Sequence, residues 1–234
     1  ALVTGNSPGN DMRFTDEKVE SARNFANKLW NAARFILMNI GDSEVPLCLP
    51  DTLTLEDKWI LSRFNDLTRA VTENLEKYEL GIAIQKLYDF TWDSFCDWYI
   101  ELSKSRLQGE GAGAARQVLT FVMTGILRLL HPFMPFVTEE IWQSLPHEGE
   151  ALMIAAWPQY DASLSFPEEE REMERVMEAI RGIRNRRAEM NVPPSRKAQV
   201  YVETAFADAF VHGAPFIQRL ASASEVKVGE RFDL

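Results

Sequence analysis

Residues 21–35 read SARNFANKLWNAARF, and the spacing of the apolar side chains around this stretch decides the fold class. Steps of three and four residues place apolar side chains on one face of an α-helix. The side chains that follow this spacing are Val19, Ala22, Ala26, Leu29, Ala33 and Ile36. Thr15 can cap such a helix and Gly41 can end it. The stretch therefore predicts a long amphipathic helix.

The same helical spacing recurs along the chain to about residue 190. Further helices are predicted from a capping-box-like Thr54 and Asp57 to Gly81, over 83–107, between a glycine-rich break at 109–113 and Pro132, from about Thr138, and from Pro167. No period repeats among them, which is typical of a helical bundle rather than a solenoid.

The composition changes at NVPPSRK, residues 191–197. Residues 198–204 and 224–230 alternate like β-strands, and the stretch between them is helical in pattern. The chain is therefore expected to be mainly α: a helical bundle followed by a small α/β appendage. The expected divisions are 1–14, 15–192 and 193–234.

Charge and cysteine content limit the function classes. A net charge of −10 and a pI near 4.9 argue against a general polyanion binder, so any nucleic-acid contact must be local. Cys48 and Cys96 have no metal-ligand spacing, which suits a reducing cytosol. We find no signal pattern and no apolar run approaching a membrane span, and we expect a cytoplasmic protein with no membrane contact. The chain lacks an initiator methionine, and we expect it to be a piece of a longer protein.

No catalytic or metal-binding set stands out in the sequence. His131, His147 and His212 are isolated from carboxylate or cysteine partners at ligand spacing. The glycines of 109–115 follow a helical pattern rather than a strand, so a flexible loop is favoured over a phosphate loop. We expect no catalytic residue, metal or cofactor in this chain.

Two apolar side chains fall on polar helix faces. At about 100° per residue, Phe35 lies roughly 150° from the centre of its apolar face. The wheel aligns Phe35 with Asn24, Lys28 and Asn31, and Ile100 with Asp93, Asp97 and Lys104. Such side chains can hold the unstacked bases of an RNA loop. The alternatives are lone surface residues, or a neighbouring helix that covers both faces.

A basic segment stands out in this acidic chain. Residues 181–197 contain one acid, Glu189, and six basic residues: Arg181, Arg184, Arg186, Arg187, Arg196 and Lys197. The segment is either a solvated helix face or an edge that contacts RNA phosphates, for which Arg181, Arg184, Arg187, Arg196 and Lys197 are the candidates.

Six motifs carry a family resemblance. They are GNSPGNDMRF (5–14), SARNFANKLWNAARF (21–35), SFCDWYIE (94–101), HPFMPFVTEEIWQ (131–143), AWP (156–158) and EMNVPPSRK (189–197). In this order and separation they resemble the C-terminal half of bacterial valyl-tRNA synthetases, which are class I enzymes. The resemblance covers nearly the whole chain.

The resemblance implies a role for each division. Residues 1–14 would end the connector after the catalytic lysine loop, 15–192 would bind the anticodon stem-loop of tRNA for valine, and 193–234 would lead to a coiled coil. Phe35 and Ile100 occupy positions at which the family packs side chains on anticodon bases, which makes Asn24, Lys28, Asn31 and Lys104 flanking candidates.

The resemblance also implies partners and absences. The full enzyme would use ATP, and this piece would not. The catalytic domain would precede this piece and the coiled coil would follow it. The enzyme is expected to be a monomer. Two alternatives stay open: the equivalent domain of an isoleucyl-tRNA synthetase, and a helical protein-interaction module whose Phe35 and Ile100 faces bind another helix.

Overall fold

The computed structural model describes residues 15–41 and 43–232, and helices dominate them. The helices are α1 (Asp16–Ile40), α2 (Leu55–Glu76), α3 (Leu80–Asp89), α4 (Ile100–Ser103), α5 (Ala112–Leu130), α6 (Pro135–Ser144), α7 (Pro167–Glu189) and α8 (Ala207–Leu220). The strands are β1 (Ala198–Glu203) and β2 (Ala223–Gly229). The predicted fold class, a helical bundle with a small α/β appendage, is confirmed. The predicted connector at 1–14 lies outside the described residues.

Several helix ends follow from the local sequence. α1 ends at Gly41, whose φ of 55° suits glycine. α2 begins with the capping box of Thr54 and Asp57, in which the Thr54 backbone N–H donates to Asp57 Oδ2 at 3.1 Å. α7 begins at Pro167, where the missing N–H leaves no donor unsatisfied.

Other ends differ from the prediction. Gly81 does not stop α2, because the chain reverses three residues earlier at Tyr78, with φ 60°, and Gly81 lies inside α3. The glycine-rich stretch is only partly a loop, since α5 begins at Ala112 and includes Gly113. α6 begins at Pro135 rather than near Thr138.

A single long helical run extends from Leu80 to Ser103 and changes its winding midway. α3 leads directly into a π-helical segment, Phe90–Tyr99, which leads directly into α4. We call Phe90–Tyr99 the π segment. Its hydrogen bonds run from i to i+5, so each residue advances by a smaller angle than in an α-helix. It packs against α1 and α2.

The chain divides into two compact units, one ending at Ser165 and the other beginning at Phe166. The composition of the chain changes near residue 192, which is where the sequence predicts the division. The structure instead groups α7 with the α/β part, because α7 packs on α8. Gly213 of α8 allows this packing, since a Cβ there would lie 2.6 Å from a Val176 methyl group.

The core of the first unit is formed by side chains from all of its long helices. The large, fully buried members include Leu29, Ile36, Ile60, Leu87, Phe95, Leu119, Met123 and Trp142. One helix among the described residues, Ala112–Leu130, is long and apolar enough to span a membrane by length and composition alone. Of its most apolar 18-residue window, 61% is buried inside the protein, so this helix belongs to the core of the first unit.

The second unit contains the predicted β-α-β arrangement. β1 and β2 pair in parallel, with Val200 opposite Val226 and Val202 opposite Val228. α8 packs on β2 and contributes the buried Phe210, Phe216 and Ile217. Parallel strands need a crossover connection of about a dozen residues or more, which explains why the two strands lie 19 residues apart along the chain.

Candidate nucleic-acid interface

Two helices of the first unit bring most of the predicted base-contacting residues to one surface. α1 supplies Asn24, Lys28, Asn31 and Phe35, and the π segment with the residues after it supplies Trp92, Asp97 and Lys104. We call this set the α1–π face. Asn24 and Asn31 are exposed, and Lys28, Phe35, Trp92 and Lys104 are half-buried.

Phe35 and Lys104, which the sequence proposed separately, lie together. The Lys104 ammonium is 5.7 Å from the centre of the Phe35 ring, a cation–π arrangement, and it also bonds Glu101 Oε1 at 2.5 Å. Phe35 is half-buried rather than fully exposed as the helical wheel implied, and α1 packs against the π segment, α5 and α6. The ring is therefore held in place while part of it remains accessible.

Lys28 is also held by a residue distant in sequence. Its ammonium bonds Asp97 Oδ1 at 2.5 Å and lies 4.0 Å from the centre of the Trp92 ring. Trp92 stacks on Tyr88 with centroids 5.5 Å apart, and Tyr88 stacks on Phe25 at 4.8 Å. The result is a row of rings that ends at a lysine on the α1–π face.

Tyr88 and Trp92 are not among the residues that the sequence predicted for this surface. Both lie on the long helical run between the inward residues, and four-residue spacing from Tyr88 to Trp92 to Cys96 could have revealed a second, partly exposed stripe. Burial raises the pKa of the Cys96 thiol to about 12, which keeps it neutral beside the charged pair of Lys28 and Asp97.

Ile100 does not belong to the accessible surface, which corrects the sequence prediction. It retains only 7% of its exposure. The helical wheel assumed about 100° per residue. Ile100 follows directly on the ten residues of the π segment, in which each residue turns through a smaller angle, so the wheel assigned Ile100 to the wrong face. Asp93 and Asp97 remain exposed, so the polar stripe persists and Ile100 falls outside it.

A buried charged cluster fixes the long helical run to the start of α2. Tyr99 Oη donates to Asp57 Oδ1 at 2.6 Å, and Arg106 Nη1 donates to the same oxygen at 2.8 Å and to Glu56 Oε1 at 2.9 Å. Arg106 also bonds Thr54 Oγ1 at 2.9 Å. We call Glu56, Asp57, Tyr99 and Arg106 the α2 anchor.

The environment of the α2 anchor shifts two pKa values upward. Burial, followed by the charge of Asp57, raises the pKa of Tyr99 well above its usual range, so the phenol stays protonated and donates. Burial alone would lower the pKa of Arg106, but the hydrogen bond and charge of Asp57 outweigh it and raise that pKa. The α2 anchor thus holds a protonated phenol and a guanidinium cation against two buried acids.

The basic segment of the second unit uses part of its charge internally. Arg184 Nε donates to the Leu220 carbonyl at 2.6 Å, and one Arg187 amino group donates to the carbonyls of Pro193 and Arg196 at 3.0 and 2.5 Å. Arg187 therefore orders the NVPPSRK turn. Arg181, Arg196 and Lys197 are exposed.

The histidines lie in structural settings. His131 Nδ1 is 2.8 Å from Thr138 Oγ1, and the His147 ring lies against Trp142 with centroids 3.8 Å apart. His212 is exposed on α8. Within residues 15–41 and 43–232, no group of three or more His, Cys, Asp or Glu side chains could hold a metal ion.

Comparison with known proteins gives a family match. Residues 57–202 match the family model described as the anticodon-binding domain of tRNA ligase. The chain is 54% identical to valine–tRNA ligase of Clostridium perfringens over 232 residues, which is 96% of the chain and 26% of the relative. It is 46% identical to valine–tRNA ligase of Bacillus cereus over 234 residues, 97% of the chain and 27% of the relative. The chain thus spans about a quarter of the length of these relatives.

A solved structure shares the fold. It is the ternary complex of Agrobacterium radiobacter K84 LeuRS with tRNA and LeuAMS, which aligns with a TM-score of 0.54 at 20% identity. The alignment covers 70% of this chain and 19% of that one.

Proposed function

This chain belongs to the family of anticodon-binding domains of tRNA ligases, and we propose that its α1–π face binds the anticodon stem-loop of a tRNA for valine. The observation that carries the proposal is the half-buried Phe35 ring beneath the Lys104 ammonium. Unpaired bases of RNA loops stack on such rings, and a nearby cation adds attraction for the phosphate backbone.

The charge pattern of the α1–π face fits local readout rather than general polyanion binding. Lys28 is paired with Asp97 and Lys104 with Glu101, so the face carries little net charge. Affinity would then come mainly from stacking on Phe35 and hydrogen bonds from Asn24 and Asn31. Stacking is worth about 1–3 kcal/mol per base.

Valine is the amino acid favoured by the relatives, since valine–tRNA ligases match at 46–54% identity. This observation supports the valyl over the isoleucyl alternative. We propose that the complete ligase activates valine with ATP in a catalytic part outside the matched region, as a cytoplasmic monomer, and transfers it to the tRNA held here.

The protein-interaction alternative loses its main support. A partner helix would need an apolar stripe at three- or four-residue spacing on the α1–π face. Burial of Ile100 removes one of the two apolar side chains on which the alternative depended.

The test is binding of this chain to a labelled anticodon stem-loop of tRNA for valine, beside one with the two valine-specifying anticodon bases replaced. We expect Phe35→Ala to weaken binding of the valine stem-loop by about 5- to 150-fold, which corresponds to the stacking free energy. The matched control is Phe136→Ala, which removes a phenylalanine that is 90% exposed and lies outside the α1–π face.

Ile100→Ala tests whether Ile100 is a core residue, as the structure shows, or a base-contacting residue, as the sequence predicts. Because Ile100 is buried, this substitution should reduce the free energy of unfolding by about 2–5 kcal/mol. Below the unfolding transition it should leave discrimination between the two stem-loops intact. Equal binding of both stem-loops by the wild-type chain, with no effect of Phe35→Ala, would contradict the proposal.

We also propose that Arg196 and Lys197, with Arg181, Arg184 and Arg187, contact the RNA backbone. Arg184 and Arg187 already bond carbonyls of their own unit, so their guanidinium groups would contribute through remaining N–H donors. Lys197→Gln should reduce the slope of log K against log salt by about 1 without changing discrimination. An unchanged slope would assign the segment to a solvated surface.

In the complete ligase, Phe35→Ala should affect tRNA binding separately from the activation of valine. Phe35→Ala should raise the KM for tRNA in aminoacylation and leave valine-dependent ATP–pyrophosphate exchange unchanged, because exchange does not need the anticodon contact. Loss of both activities together would indicate a folding defect instead.

A further inference from the structure

The first unit contains a cavity that lies apart from the α1–π face. It has a volume of about 340 Å³ and lies between α2, α5, α6 and the loop 145–159. Phe64 of α2 and Phe121 of α5 supply aromatic walls, and Arg128 and Trp142 also line it. None of its lining residues belongs to the α1–π face, so the inference does not depend on RNA binding.

Several polar groups around this cavity are fully accounted for. The Asn65 side chain donates to the Asp161 carbonyl at 2.7 Å and accepts from the Asp161 N–H at 2.8 Å. Trp157 Nε1 donates to Thr72 Oγ1 at 2.9 Å, and the His147 ring bonds the main chain. These groups fix the walls and leave little capacity for a ligand.

Three polar atoms on lining residues have no hydrogen-bonding partner within the described part of the chain. They are Thr120 Oγ1, Arg128 Nε and Trp142 Nε1. Thr120 and Trp142 retain 1% and 0% of their exposure. More than about 90% of buried polar groups are hydrogen-bonded, so three exceptions around one cavity call for an occupant.

The chemistry of the three atoms specifies that occupant. The Arg128 and Trp142 N–H groups can only donate, and the Thr120 hydroxyl can also donate. The occupant must therefore present acceptors, and the guanidinium charge favours an anion. The only acidic lining residue is Glu148, which is exposed, and no carboxylate of the described residues pairs with Arg128.

The volume and the aromatic walls indicate that the occupant also has an apolar body. A space of about 340 Å³ is at the lower end of ligand pockets and exceeds the room that one water needs. We propose that this cavity binds a small organic carboxylate. Its oxygens accept from Arg128 Nε, Trp142 Nε1 and the Thr120 hydroxyl, and its apolar body lies against Phe64 and Phe121.

The test uses benzoate as the probe, with the neutral benzamide as its matched shape control. The signal is the indole N–H of Trp142 in a two-dimensional ¹H–¹⁵N spectrum of the full 234-residue chain, assigned with Trp142→Phe. We expect a saturable downfield shift with benzoate at constant ionic strength, and little shift with benzamide. Sulfate at the same concentration tests whether an anion without an apolar body suffices.

Variants of the lining complete the test. Arg128→Gln should weaken benzoate binding about tenfold or more, since it removes a charge-assisted hydrogen bond. Arg116→Gln is the control, because Arg116 lies on the same helix, is also half-buried and does not line the cavity. Thr120→Val keeps the side-chain shape and should weaken binding about fivefold, which provides a second variant if Arg128→Gln does not fold.

Three outcomes would overturn the proposal. If benzoate causes no saturable shift, the cavity holds only water. If benzamide or sulfate is equivalent to benzoate, the assignment of an organic carboxylate is wrong. If benzoate binds both folded cavity variants with wild-type affinity, its site lies elsewhere.

Discussion

Removal of Arg106 tests whether the α2 anchor holds the first unit together. In Arg106→Met the long side chain keeps its apolar stem but loses the guanidinium group. That group donates to Asp57 at 2.8 Å and to Glu56 at 2.9 Å. The Asp57 side chain is 0% exposed and that of Glu56 is 6% exposed, so water cannot replace the lost donor easily.

The expected loss in free energy of unfolding depends on the burial of the ion pair rather than on the distance between its charged atoms. Breaking a buried ion pair by removing one partner costs about 3–5 kcal/mol, because the remaining charge stays desolvated. Arg69→Met is the matched control: the Arg69–Asp66 pair is 2.6 Å apart but its side chains are 48% and 51% exposed. Such a surface pair contributes about 0–1 kcal/mol.

The assay is unfolding in urea followed by tryptophan fluorescence. All six tryptophans precede residue 158, so the signal reports the first unit alone. Urea is preferred because a denaturing salt would screen the charges being compared. If Arg106→Met lost no more free energy of unfolding than Arg69→Met, the assignment of the α2 anchor as a desolvated, stabilising cluster would be refuted.

Three further substitutions or treatments test the packing and the pKa shifts. Gly125→Ala should cost about 1–3 kcal/mol in urea unfolding, because its Cβ would lie 2.2 Å from a phenylalanine ring; Gly113→Ala on the same helix, with open space, should be neutral or stabilising. Iodoacetamide at pH 8 should alkylate the exposed Cys48 and spare Cys96, whose pKa is about 12, until the chain is unfolded; equal rates in the native chain would count against that pKa. The raised pKa of Tyr99 gives stability that is complete below its usual value of about 10 and is lost as the pH rises above it, so Tyr99→Phe should flatten the fall of unfolding free energy above pH 10. An unchanged slope would show that Tyr99 ionises freely.

Local sequence signals account for most of the fold. Apolar residues at three- and four-residue spacing, the Thr54 capping box and Pro167 each act within a few residues, and the structure shows a helix at every one of them. Helix ends were less predictable. Tyr78 adopts a left-handed backbone conformation that is uncommon for tyrosine and that the sequence does not predict, whereas Gly81 lies within a helix.

The candidate site depended more on packing. The sequence by itself determined that α1 carries Phe35 among polar residues, because a helical wheel needs only the local angle per residue. Tertiary structure alone decided that Ile100 is buried, that Lys104 lies over Phe35, and that Lys28 meets a carboxylate 69 residues away. The reason is physical: the exposure of a side chain depends on which helices cover its face, and the π segment changes that face in a way no fixed wheel angle represents.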